Sequence, residues 1–89
     1  MTIRSVNKRD YDIPKSGDPR LHEELGWYAT DGDTVLGVVI RDRVDDDFSW
    51  VMLTCNDQGP GYSAIDLGAS LPTREAATRA LHAAMEQRA

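Results

Sequence analysis

Between residues 27 and 67 the chain sets four short apolar segments apart with runs that favour turns. These are Asp31-Gly32-Asp33, Asp45-Asp46-Asp47 and the Asn-Asp-Gln-Gly-Pro-Gly stretch at 56–61. Short apolar runs bounded by Asp, Asn, Gly and Pro read as strands, and strands this close in sequence pair as antiparallel neighbours. The expected fold is α+β, a three- to four-stranded antiparallel β-meander with one C-terminal helix packed on one face and an N-terminal arm. The middle strands are apolar on both faces, so a single helix leaves a second face that something else must cover.

With 89 residues the chain supports one domain, near the small end of what folds without metal or disulfide staples. It divides into an N-terminal arm with a short helical turn (1–25) and the meander plus helix (26–89), a single domain overall. The one cysteine, Cys55, has no internal partner and lies in the run Val51-Met52-Leu53-Thr54-Cys55, which reads as a buried reduced thiol. No stretch approaches the ~18 apolar residues of a membrane span, and residues 1–10 lack the apolar centre of a signal peptide. A cytoplasmic setting without a membrane partner is expected.

The net charge of −5 is unevenly spread: residues 1–25 carry five basic and five acidic side chains, 26–72 two and eight, and 73–89 three and two. An acidic sheet repels phosphate backbones, which proteins bind mainly through Lys and Arg, so a nucleic-acid partner is disfavoured and a basic one is easier to accommodate. The plainer reading is that these aspartates shape and solubilise turns.

Residues 1–20 alternate charge with Ile3, Val6, Tyr11 and Ile13 and contain Pro14, Gly17 and Pro19, a composition for an extended arm or short edge strand. Asp18 as N-cap with Pro19 after it suggests a helical turn over 20–25, stopped by Gly26. Strands are expected at 27–30, 34–41, 48–55 and 62–67, the last as an edge. Asp31-Gly32-Asp33 forms the first hairpin. Gly37 inside the second strand marks a bulge or a large side chain lying over the backbone. Phe48, Trp50 and Met52 share one face of the third strand, Val51, Leu53 and Cys55 the other. Thr73 caps a helix to about residue 88, with Ala77, Ala80, Leu81, Ala84 and Met85 inward and Arg79, His82 and Glu86 outward.

Catalytic chemistry finds no local support. Pairing Cys55 or Ser63 with His22 or His82, oriented by Asp57 or Asp66, has no sequence motif behind it. Asp42, Asp45, Asp46 and Asp47 lack the alternating spacing of a cation loop, and the two histidines and single cysteine lack zinc-ligand spacing. Gly59-Pro60-Gly61 opens no helix and is a turn, not a phosphate cradle. No enzyme activity, cofactor or metal is expected. The aromatics Trp27, Tyr28, Phe48, Trp50 and Tyr62 all belong to the meander, and Trp27 and Tyr28, as strand neighbours, point to opposite faces. Either the arm or a partner covers the face away from the helix. The candidate partner-binding residues are Trp27, Tyr28, Trp50, Asp45, Asp46 and Asp47.

The pattern Trp27-Tyr28, Leu36-Gly37-Val38-Val39, Asp42, Asp45-Asp46-Asp47, Trp50-Val51-Met52-Leu53, Tyr62 and Ala64-Ile65-Asp66, followed by 73–81, resembles small uncharacterised bacterial proteins of the phage and mobile-element type. The resemblance covers about residues 26–85 and implies a β-meander followed by a C-terminal helix. The order of strands and helix, with Thr73, Glu75, Ala76, Ala77 and Leu81, is also similar to the small sheet-plus-helix DNA-binding domain of phage-type integrases. That similarity implies DNA contact through Arg41, Arg43 and the basic residues Arg4, Lys8 and Arg9 of the arm. The leading expectation is a non-enzymatic protein–protein interaction or regulatory module whose partner is another protein or a second copy. The alternatives are a phage-type inhibitor that imitates DNA charge and a DNA-binding module.

Overall fold

In the computed structural model, which describes residues 2–11, 13, 20–56, 59 and 61–88, alternation along the strands dictates a sheet that is greasy on both sides. Five antiparallel strands lie in sequence order: β1 (Ile3–Val6), β2 (His22–Thr30), β3 (Val35–Asp42), β4 (Phe48–Cys55) and β5 (Tyr62–Leu71). The α-helix α1 (Arg74–Arg88) follows. The α+β meander with a C-terminal helix is thus the architecture, with a fifth strand because the N-terminal residues form the edge β1 against β2.

The register sorts the side chains. Val6, Trp27, Val38, Val51 and Leu67 form one row across all five strands, and Tyr28, Gly37, Met52 and Asp66 form the next row along. Since neighbours along a strand face opposite ways, the first row lies on one face and the second on the other. Val39, Trp50, Met52, Ala77, Leu81 and Met85 make the core under the helix, bordered by Tyr28, Phe48, Ile65 and Leu71. Trp27, Ala29, Leu36, Val38 and Leu53 make a second core on the far face, packed by Val6, Tyr11, Ile13 and Tyr62. Of the two covers the sequence left open, residues of the N-terminal segment supply one here.

The helix begins where Thr73 Oγ1 accepts the Ala76 N–H at 3.0 Å, the N-cap expected of that residue. Its inward stripe, Ala77, Leu81 and Met85, is fully buried. An alanine-rich stripe covers little area, so the helix must come close, and Gly37 permits this. A Cβ on Gly37 would lie 2.6 Å from Leu81 Cδ1 and 2.9 Å from Met85 Sδ. No register shift occurs in β3 at Gly37, so the glycine marks an overlying side chain and not a bulge. On the β5 side, the Trp50 indole occupies the corresponding space over Gly68.

Four expectations need correction. Residues 22–25 are strand, not helical turn: Glu23 and Glu24 pair with Arg41 and Ile40, so the β2–β3 ladder prevails over a local capping signal whose Asp18 and Pro19 lie outside the described residues. β2 therefore runs across the 25/26 boundary, with a register shift between Glu24 and Gly26 and the Leu25 carbonyl accepting from Arg74 Nη2 at 3.0 Å. β5 extends to Leu71, past residue 67. Cys55 is exposed, because β4 carries it beyond both cores at the strand's end. His82 is not on the open face of α1: its ring meets Tyr28 edge-on at 4.7 Å, and Nε2 is buried.

Gly37→Ala is expected to destabilise the fold by about 1–3 kcal/mol through overpacking against Leu81 and Met85, read as a lower urea midpoint. A midpoint equal to wild type would mean that the helix is free to retreat.

Candidate functional site

Strand alternation separates the aromatic candidates. Trp27 and Trp50 are each only 8% exposed, Trp27 in the far core and Trp50 under the helix. Tyr28 is half-buried on the helix side against His82. The three therefore do not form a common face with the aspartates, and both tryptophans do core work. Lys8 supplies a lid to Trp27: its Nζ lies 5.6 Å from the ring and 3.1 Å from Glu24 Oε2, so the cation contributes to a π-face and an ion pair together. The Trp27 Nε1 is buried without a hydrogen-bond acceptor.

The aspartates belong to the β3–β4 turn, where local bonding explains most of them. Asp42 Oδ1 accepts from the Val44 N–H at 2.8 Å and the Asp45 N–H at 3.2 Å, and the Asp42 N–H donates to the Asp47 carbonyl. These bonds hold the Asp42 carboxyl below the usual carboxylate range, with a smaller contribution from nearby His22. Asp46 takes a positive φ of 54°, tolerated by a short polar side chain, and receives Arg41 Nη2 at 2.7 Å and Nε at 3.1 Å. That bond keeps Arg41 yet more firmly protonated than usual. Arg41 and Arg43 also lie 3.9 and 3.8 Å from Glu23. The turn is a mixed ion network from which Asp45 projects exposed.

Within this turn stands Val44, 69% exposed, and across from its chain neighbour Arg43 lies Leu21, 43% exposed, whose carbonyl accepts the Arg43 N–H at 2.8 Å. Neither is among the candidate residues that the sequence pattern offers. The available signal was Val44 itself, the lone apolar residue in the charged run 41–47, where a turn that needs no hydrophobe carries one.

Among the described residues no hydrogen bond joins Cys55 or Ser63 to His22 or His82. Ser63 Oγ donates to Asn56 Oδ1, and His82 Nε2 has no hydrogen-bond partner. Asp57 lies outside the described residues. Among the described residues no three His, Cys, Asp or Glu side chains are grouped to hold a metal ion, and no helix is long and apolar enough to cross a membrane. No family model matches the chain, and no curated sequence or solved structure shows significant similarity to it.

Two outcomes follow from this geometry. Trp27→Ala and Trp50→Ala should each cost about 3–5 kcal/mol in chemical denaturation, as core truncations. Because the folded Asp42 value lies below the unfolded one, its support of the turn is complete at neutral pH and is lost as pH falls through the folded-state value. The Val44 and Asp45 amide resonances should therefore shift together at a midpoint below that of an ordinary aspartate, and a midpoint at the ordinary value would refute the capping role.

Proposed function

We propose that this chain is a small non-catalytic interaction module that docks another protein through the end of the sheet formed by the β3–β4 turn. The observation that carries this reading is Val44, held out by a tightly bonded turn, with Leu21 bonded to its chain neighbour Arg43. Protein contact sites commonly combine an apolar centre with a polar rim, and charge on the rim sets orientation and partner choice. Here the rim is Asp45, Asp46 and Asp47, with Arg41 partly neutralising it through Asp46 while Arg43 pairs with Glu23. The complementary partner offers an apolar pocket bordered by basic side chains. Tyr28, Trp27 and Trp50 serve the module by holding the sheet that presents this end.

A cytoplasmic setting and an origin among phage or mobile-element proteins belong to the same proposal, the second resting on sequence pattern alone. The DNA-binding alternative is weakened because Arg41, Arg43 and Lys8 are each engaged with carboxylates. Retention on duplex DNA is expected to be undetectable even at low salt, where phosphate contacts are strongest.

The decisive comparison is a pull-down from the native host with wild-type chain, a Val44→Asp variant and a Leu21→Asp variant, each shown to melt like wild type. Recovery of a common partner should fall by about tenfold or more with either substitution, the scale of losing a modest hot spot. Equal recovery by all three would remove the turn as the docking site.

A further inference from the structure

The sheet has two edges of unequal character. β1 is four residues long and carries Arg4, whereas β5 is ten residues long with Asp66 as its one charge. A long, nearly uncharged edge is a template for another strand unless something blocks it. Leu67 ends the apolar row that crosses all five strands and is 65% exposed. Its N–H donates to Asp66 Oδ1 at 2.9 Å. That amide is therefore directed outward, and the aspartate occupies the position a pairing strand would take.

We propose that β5 pairs antiparallel with β5 of a second copy about a two-fold axis at Leu67, with Asp66 as the group that changes partner. In an antiparallel ladder a residue with its amide directed at its neighbour exchanges both N–H and C=O bonds with the residue opposite. An axis at Leu67 lets the two Leu67 amides reach each other's carbonyls and joins the two apolar rows end to end. The same register sets Asp66 opposite the second copy's Gly68. Over Gly68 lies the Trp50 indole, with Nε1 the atom nearest to the place a Cβ would take. Asp66, released from its own Leu67 N–H, meets an indole N–H on the same face, and symmetry supplies the contact twice.

This self-complementarity selects a second copy over a foreign strand. A two-fold interface requires each patch to match itself, and here acceptor and donor sit at symmetric positions while the two Asp66 carboxylates face glycines rather than each other. The register shifts between Met52 and Leu53 and between Phe48 and Trp50 confine regular pairing to the stretch around Asp66–Gly68. The interface is accordingly small and the association weak and concentration-dependent. It uses no residue of the β3–β4 turn, so it stands or falls separately from the docking site proposed there.

Sedimentation velocity over a dilution series of the full chain tests it. Wild type should pass from monomer to dimer as concentration rises. Leu67→Lys and Leu67→Glu should each weaken the dimer by about tenfold or more, because like charges meet at the axis, and an equimolar mixture of the two should restore it. Leu67→Pro, which removes the outward N–H at an exposed edge position, should abolish pairing with the melting profile of a folded chain. Wild type monomeric throughout, a dimer persisting in Leu67→Pro, or charged variants that fail to pair when mixed would each overturn the proposal.

Discussion

The close seat of α1 on Gly37 is the constraint on which the architecture turns. An inward stripe with alanine at three of its five positions (Ala77, Ala80 and Ala84) plus Leu81 and Met85 gains stability only from contact at full packing density, because voids forfeit dispersion as well as burial. Removing one side chain from the sheet at Gly37 admits both Leu81 and Met85 to the strand backbone. The large residues that flank this point, Tyr28, Trp50 and Met52, then fill the space on either side of the helix. Gly68 repeats the device in miniature for the Trp50 indole, so two strand glycines accommodate the bulkiest packing on the helix face.

The far face is closed by a different strategy. Trp27 supplies the area, Val6, Tyr11 and Ile13 supply the cover, and Lys8 lies over the ring while paired to Glu24. A long basic side chain used this way shields apolar surface with its stem while keeping its charged end wet. Tyr62 of β5 meets Tyr11 edge-on at 6.3 Å, which ties the N-terminal segment to the opposite edge strand. The exposed apolar residues lie where this cover stops, at Leu67 on the edge and at Leu21 and Val44 beyond the sheet's end.

Period-two alternation made much of this legible. It placed Trp27 and Tyr28 on opposite faces and divided β4 between the two cores, and turn composition located the Asp31-Gly32-Asp33 hairpin, where Gly32 takes a φ of 81°. What alternation does not carry is the lateral extent of pairing. His22 to Leu25 look like a capped turn when read locally, and become strand because β3 offers them a ladder that only tertiary proximity reveals. Cys55 has the neighbours of a core residue, yet strand length, not composition, sets where the core ends. The helical wheel turns His82 outward, but the Tyr28 ring reaches the helix flank and meets it edge-on. The candidate site was the least legible part: sequence weighed aromatics for their size, and size is what sent Trp27 and Trp50 inside.

The bond from Arg74 to the Leu25 carbonyl has a consequence for how the molecule comes apart. It fastens the first turn of the helix to the irregular point of β2, while β2 also carries the side chains of the opposite core. Loosening the helix thus loosens the strand on which the far layer is built, and neither layer keeps its floor when the other is lost. The two halves of so thin a protein should melt as one cooperative unit, with no persistent half-folded species in which the sheet survives on one cover alone.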